Sequence, residues 1–437
     1  MTSRISFGLL AACTAVSAAT ALFVSRATLA HPDAEDARHH AALFSHIQGL
    51  VSEEYVEPTD ERDLLYAALR GMVESLDSYS RFYPPEEERS LEEETSGRFV
   101  GIGVVVETQS PPLTISYPLE RSPAEQAGIG IGDRIIEVDG RSTGGLGVDE
   151  ARDLIRGAAG SSVRLRVVPA AGGAPREVVV RREPMRDSTV SLARLVDRHA
   201  GIGYLWISSF SEETPEEFDA AVERLRDEGM RSLVLDVRLN PGGILDAAVH
   251  IVNRFLPNGV IVETRGRTRD SMRSIRAIPS EATLEGIPVV LLQNEGSASA
   301  SEIVAGAIQD HRLGVVVGTR SWGKGVVQSI KRIEAEGISV RLTTAYYYTP
   351  AGRNFERELQ HGGGGGIAPD ILVEVDRGEI EGIRRNLERY DVPDKYRVKV
   401  EERRRARGLR TDFEPDPQLD TALALLRGET PLPRRVR

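Results

Sequence analysis

A single cysteine stands among 437 residues, Cys13, and it lies inside an apolar run at the amino terminus. The chain beyond that run therefore has no disulfide and no thiol chemistry. The eight histidines offer little chemistry: His39 and His40 sit near the amino terminus, and His250 falls in a helical pattern where a packing or surface role explains it. No metal-ligand spacing appears, so neither a metal nor a cofactor is expected. Positive charge is also short. The net charge of −11 argues against nucleic acid as the main partner. Within the basic residues lysine is nearly missing, since only Lys324, Lys331, Lys395 and Lys399 accompany an otherwise arginine-only set. An arginine-biased chain that still uses lysine does so where arginine cannot serve, and the main thing arginine cannot do is lose a proton.

The length implies two to four domains, and 40% hydrophobic with 28% charged residues is a globular composition. Residues 1–30 stand apart. Arg4 precedes an uncharged run from Ile5 to Val24, and small residues close it at Thr28 and Ala30, which is the layout of a secretory signal. The run is also long enough for an uncleaved anchor. Leu10-Ala11-Ala12-Cys13 resembles a lipoprotein processing box, although the apolar run continues past it. Each of these readings exports the rest of the chain.

Residues 36–96 read as helical, with Leu43, Phe44, Ile47, Leu50 and Val51 on one face and Leu64, Leu65, Ala68, Leu69, Met72 and Leu76 on the next. Residues 97–184 change to short β-branched runs, Val104 to Val106, Arg134 to Val138, Val163 to Val168 and Val178 to Arg181. Residues 187–375 alternate strands and helices, which predicts an α/β core. Strands are expected at Tyr204 to Phe210, Leu233 to Val237, Pro288 to Leu292 and Val315 to Val317. Thr214-Pro215-Glu216-Glu217 opens a helix reaching Asp227. Residues 376–437 are charged and helical. Within them Glu401 to Arg407 reads as a solvated face, and Gly362 to Gly366 before them as a flexible connector.

Three short segments could carry chemistry. Lys324 lies in Ser321-Trp322-Gly323-Lys324-Gly325-Val326-Val327-Gln328, between glycines that permit close backbone approach and beside an indole able to desolvate it. Ser299 lies in Gly296-Ser297-Ala298-Ser299-Ala300-Ser301-Glu302, between a strand and a helix, where the Ala300 N–H and the helix amino terminus could stabilise an oxyanion. Leu235-Asp236-Val237-Arg238-Leu239-Asn240-Pro241-Gly242-Gly243 could turn N–H groups toward a pocket after a buried strand. Taken singly, the residues leave plainer readings open: a turn lysine, an N-cap serine in a capping box with Glu302, and a strand-to-helix turn.

Together these segments resemble the carboxyl-terminal processing proteases, peptidase family S41, and the likeness runs from Leu76-Asp77 to Pro369-Asp370. Ser122-Pro123-Ala124-Glu125-Gln126-Ala127-Gly128-Ile129 followed by Gly132-Asp133-Arg134-Ile135-Ile136-Glu137-Val138-Asp139-Gly140 resembles a PDZ domain, and Tyr347-Tyr348-Thr349-Pro350-Ala351-Gly352-Arg353 matches a further family segment. The resemblance implies a multi-domain α/β fold: a crotonase- or ClpP-like spiral protease core, an inserted PDZ domain and helical termini. It implies Ser299 as nucleophile, Lys324 as general base, Gln328 as the residue that orients the lysine, and Gly242, Gly243 and Ala300 around the oxyanion. Asp310 is a weaker candidate, because a charge beside Lys324 raises its pKa.

For the lysine to act as a base it must be enclosed, with no carboxylate beside it, so that its pKa falls from about 10.4 toward neutrality. Gln328 reaches it only if the strand bends between the two. The PDZ likeness implies recognition of exposed, apolar protein C-termini by Phe99, Gly101, Ile102, Gly103 and Val104, with Leu154 or Ile155 against the last side chain. It also leaves room for a lipoprotein or PDZ-binding adaptor, for homo-oligomers through the terminal helices, and for a periplasmic or membrane-bound location.

The chain departs from the family at Leu76-Asp77-Ser78-Tyr79-Ser80, where Leu-Asp-Pro-His-Ser is usual, at Trp322 in place of phenylalanine, and in a longer segment from Glu356 to Gly366. Two other classes compete. A degenerate PDZ scaffold predicts loss of Ser299 or Lys324, and both are present. A coenzyme A-dependent crotonase-type enzyme needs neither a PDZ domain nor an export signal.

Overall fold

The computed structural model describes residues 34–85, 87–88, 95–107, 113–190, 192–359, 364–409 and 411–430. The expected signal or anchor, with Cys13, lies outside the described residues. Among those described, no helix is long and apolar enough to cross a membrane. The chain divides into two compact units, residues 1–84 and 85–437.

The first unit holds α1 (Ala34–Glu54), α2 (Glu61–Glu74) and a short strand β1 (Arg81–Tyr83). Asp60 starts α2 by accepting the N–H groups of Arg62 and Asp63, the N-cap role its short carboxylate suits. The helical pattern expected to reach Ser96 is interrupted by β1, and short helical stretches recur at residues 87–88 and 95–96. Leu43, Phe44 and Ile47 on α1 are exposed, an apolar stripe left on the surface of this unit.

The second unit opens with β2 (Arg98–Gly101), β3 (Val104–Val106), β4 (Leu113–Pro118), α3 (Pro123–Gln126), β5 (Arg134–Val138), β6 (Arg141–Ser142), α4 (Val148–Ile155), β7 (Ser162–Val168), β8 (Arg176–Arg181) and β9 (Glu183–Arg186). Strands β3-β4-β5-β7-β8 form one antiparallel sheet, with β6 beside β5. Along β7 the pattern alternates, with Val163, Leu165 and Val167 buried against Ile115, Ile135, Val138 and Val180. That alternation is what a half-buried antiparallel strand requires. Strand β3 is at the sheet edge, so its outer main-chain groups are unpaired within this sheet. Strands β2 and β9 pair with each other as a separate two-stranded ribbon.

The core then runs through β10 (Leu192–Asp197), β11 (Ile202–Trp206), α5 (Thr214–Asp227), β12 (Ser232–Asp236), α6 (Leu245–Phe255), β13 (Val260–Gly266), β14 (Arg273–Arg276), β15 (Val289–Gln293), α7 (Ala300–Asp310), β16 (Gly314–Gly318), β17 (Val326–Ile333), β18 (Ile338–Tyr348) and β19 (Ile371–Leu372). Its main sheet has the order β10-β11-β12-β15-β16-β19, parallel except for β10. Strands β12 and β15 are buried at every position, as a parallel sheet covered on both faces demands. Leu233, Leu235 and Leu291 pack with Phe218, Ile251, Ile303 and Ile308 from α5, α6 and α7. Val234, Val290 and Leu292 pack on the other side with Ile383, Leu387, Ala422 and Leu425. Those last residues belong to α8 (Arg377–Tyr390) and α10 (Pro417–Leu426), which flank α9 (Asp394–Ala406). Strands β17, β18, β13 and β14 make a second, antiparallel sheet.

Helix α9 corrects one expectation. The block Glu401 to Arg407 is not simply a solvated face: Glu401 binds Arg389 at 2.9 Å, while Arg403 and Arg407 reach Glu107 at 3.3 and 2.6 Å. With Tyr396 stacked on Tyr117, these contacts fasten α9 to the β3–β4 region. Charge density alone could not reveal that the partner carboxylate lies almost three hundred residues away.

A buried charge network joins β12 to α10. Arg238, 1% exposed at its side chain, is held by Asp236 at 2.6 Å and by Asp416, the N-cap of α10, at 2.8 Å. Tyr204 donates to Asp236 Oδ2 at 2.6 Å, and Gln418 accepts from Arg238 at 3.2 Å. Burial works against the guanidinium charge, and the two carboxylates outweigh it, so its pKa stays high. Asp416→Ala removes one of two carboxylates facing a buried cation and is expected to destabilise the fold by about 3 kcal/mol. Thermal unfolding checks this: a clear drop in midpoint is expected, and an unchanged midpoint contradicts it.

Candidate active site

Strands β12, β15 and β16 are adjacent and parallel, so their carboxyl ends open at one edge of the sheet. That edge is where open α/β sheets place their sites. The glycine turn follows β12, Ser299 follows β15, and the Lys324 segment follows β16. Sheet topology thus collects three segments that are distant in sequence.

Serine side chains fasten the first two. Ser297 Oγ donates to the Val237 carbonyl at 2.7 Å, Ser301 Oγ to the Asn240 carbonyl at 3.0 Å, and the Ala298 N–H to the same carbonyl at 3.0 Å. Asn294 Oδ1 accepts from Leu239 and Gly296. Gly242 is essential to this approach: a Cβ there would lie 2.7 Å from Ser299 Cβ and 3.0 Å from Ala300 N, and its φ is +103°. The Gly242 N–H itself donates to Asn240 Oδ1 at 2.8 Å, so it is spoken for within the turn. Gly243 lies against Phe210, whose carbonyl accepts from Ile244. No hydrogen bond involves the N–H of Gly243 or Ala300 among the described residues.

Ser299 has φ +55° and ψ −111°, a conformation that L-residues rarely adopt and that costs about 1–3 kcal/mol. Its hydroxyl makes no cap bond to α7: the Glu302 N–H goes to the Ser299 carbonyl at 2.9 Å instead. The plain N-cap reading therefore fails on geometry. Only the reciprocal half of a capping box is formed, with the Ser299 N–H donating to Glu302 Oε2 at 2.8 Å.

Glu302 does more than cap. Fully buried, it accepts the Lys324 N–H at 2.8 Å on the same Oε2, and the Gly323 N–H at 2.7 Å and Ser321 Oγ at 2.6 Å on Oε1. Burial pushes its carboxyl above the ordinary range, while these four hydrogen bonds pull the other way. One side chain thus ties the Ser299 and Lys324 segments together. The sequence spacing Ser-x-x-Glu signalled a helix start; nothing in it signalled the bonds to Gly323 and Lys324.

Lys324 is half-buried, so its enclosure is partial. Trp322 is 48% exposed and lies under the Arg357 guanidinium at 4.5 Å. The contact that Glu302 makes with Lys324 is through the main-chain N–H and fixes the backbone of the lysine. Gln328 is the third residue of β17, and a register irregularity falls between Val327 and Gln328, the kind of bend that a contact with Lys324 needs. Asp310 ends α7 paired with Arg353 and accepts the Ala351 N–H at 2.8 Å. His250 pairs with Asp219 at 3.0 Å, and among the described residues no His, Cys, Asp or Glu cluster could hold a metal.

In the second candidate site, Phe99 to Gly101 prove to be strand β2, paired with β9, so only Ile102 and Gly103 remain as a connection to β3. The β-forming Phe99-Val100 found a partner strand. Ile102 and Ile155 are buried in the small-sheet core, and Leu154 packs partly against it. Gly103, at φ +74°, abuts Ser122, and the Arg156 guanidinium lies 5.2 Å from the Phe99 ring centroid.

Residues 201–373 match peptidase family S41, and residues 114–169 match the PDZ domain family. The carboxy-terminal-processing protease of Bartonella bacilliformis is 36% identical over 396 residues, covering 89% of this chain and 88% of that protein. The carboxyl-terminal-processing protease of a Synechocystis species is 35% identical over 331 residues, covering 74% and 75%. A solved photosystem II D1 C-terminal processing protease shares 28% identity, covering 76% of this chain and 86% of its own, with a TM-score of 0.43. The degenerate-scaffold and crotonase-enzyme alternatives fall away: with its mixed α/β core, its inserted PDZ domain and its helical termini, this chain belongs to the carboxyl-terminal-processing proteases of peptidase family S41.

Proposed function

We propose that the chain cleaves exported proteins near their C-termini by a Ser-Lys mechanism. The observation that carries this reading is Ser299: a strained, non-glycine residue at the start of a buried helix, its hydroxyl released from capping, its backbone tied through Glu302 to Lys324. Strain of this kind is maintained where a side chain must be presented.

In the proposed reaction the neutral Lys324 amine takes the Ser299 hydroxyl proton as Oγ attacks the peptide carbonyl carbon. The oxygen that becomes negative is met by the N–H groups of Ala300 and Gly243, with Gly242 supplying the space for their approach. As the tetrahedral centre collapses, the lysine ammonium gives its proton to the leaving amine. Water then repeats the sequence on the acyl-enzyme. Gln328 orients the lysine. The sequence-level signal at residues 1–30 supports action outside the cytoplasm, in a bacterial periplasm or at its membrane. An adaptor and self-association through the terminal helices fit the exposed stripe on α1.

Lys324→Arg keeps the charge but supplies no base. Turnover of an unfolded protein ending in an apolar residue is expected to fall as far as with Lys324→Ala or Ser299→Ala, by about 1,000-fold or more. Retention of a tenth of wild-type turnover contradicts the assignment.

For the small-sheet domain we propose that a substrate tail adds to the free edge of β3 with its carboxylate near Ile102 and Gly103, against α4. Ser299→Ala full-length protein is expected to bind a free-acid peptide at least about tenfold more tightly than the same peptide amidated, since amidation removes the charge to be held. Equal affinities overturn terminal recognition.

A further inference from the structure

Lys324 sits in a segment of three residues whose main chain is held from two sides. Glu302 holds the Gly323 and Lys324 N–H groups. The opposite hold comes from the end of β18 and the residues just past it. Glu356 Oε2 accepts the Gly325 N–H at 2.8 Å, the Arg357 N–H donates to the Gly323 carbonyl at 3.0 Å, and the Tyr347 N–H donates to the Gly325 carbonyl at 2.7 Å. Glu356 is 1% exposed, a carboxylate placed where burial is costly unless its oxygens are used. Its second oxygen accepts the Glu358 N–H at 3.1 Å, and its own N–H is fixed by Asn354 Oδ1 at 2.8 Å. The approach is close: a Cβ on Gly325 would lie 2.6 Å from Glu356 N. Glycine on this side of the lysine is therefore required by the neighbour, not by turn geometry.

We propose that Glu356 is a positioning residue for the general base. By fixing Gly325, it sets the direction in which the chain leaves Lys324 and enters β17, and so where the lysine amine stands relative to Ser299. This rests on the Ser-Lys reading above.

The test compares Glu356→Ala and Glu356→Gln in the full-length protein, with Lys324→Ala as reference, using an unfolded protein substrate. Gln retains an oxygen able to accept the Gly325 N–H; Ala does not. Glu356→Ala is expected to lower kcat by about 10- to 100-fold with KM within about twofold, because the base is misplaced while substrate contacts remain. Glu356→Gln is expected to recover at least about a third of wild-type kcat. Should the Ala variant fail to give a cooperative thermal transition, Glu356→Asp replaces it, withdrawing the acceptor by one methylene, with the same loss expected. A kcat within about threefold of wild type in the Ala or Asp variant overturns the proposal, as does a folded Gln variant no better than Ala. Either result leaves the Ser-Lys reading intact so long as Lys324→Ala is inactive; an active Lys324→Ala instead removes that reading itself.

Discussion

A buried carboxylate with four donors around it is the constraint on which this site depends. Glu302 receives main-chain N–H groups from Ser299, Gly323 and Lys324 and the hydroxyl of Ser321. Taking an unpaired carboxylate out of water costs several kcal/mol, so the charge is tolerable only while those donors stay in place. The converse matters for function. The donors stay in place because the charge has nowhere else to go, and two of them belong to the residues assigned as nucleophile and base.

The parallel sheet supplies the platform for this clamp. Adjacent strands β12, β15 and β16 end at one edge, and each continues into a segment of the site. The strain at Ser299, about 1–3 kcal/mol, is sustained because its neighbours are over-determined. Gly242 presses against it, Ser297 and Ser301 bind the glycine turn, and α7 is buried almost throughout. Behind the glycine turn, the Arg238 network anchors β12 to α10, so a carboxyl-terminal helix supports the turn from the far face of the sheet.

The strands and helices of the core were largely legible because their signals are local. The β-branched runs at Val104 to Val106 and Arg134 to Val138 are strands with those bounds, and the expected helix from Thr214 to Asp227 forms with those bounds, although its N-cap is Glu213 and no capping box closes, Glu217 accepting from Thr189 and Val190 instead. The scarcity of lysine singled out Lys324 by an argument about protons. What stayed hidden were the pairings made by folding. Glu302 carries no mark that its oxygens reach Gly323 and Lys324, Arg403 and Arg407 gave no hint of Glu107, and Phe99 read as part of a binding loop because its partner strand, β9, lies some eighty residues on. The stacking of Arg357 on the half-exposed Trp322 was likewise invisible in the sequence.

Catalysis by this site requires that Glu302 hold Ser299 and Lys324 in working register. Glu302→Gln keeps the shape but sets an amide NH2 where two N–H groups now find an oxygen, so the two segments part. The direct measurement is the rate at which a fluorophosphonate acylates Ser299 in the folded variant, with thermal unfolding recorded alongside. A fall of about 100-fold or more in acylation, in protein that still unfolds cooperatively, is the predicted result. Acylation at the wild-type rate contradicts the account.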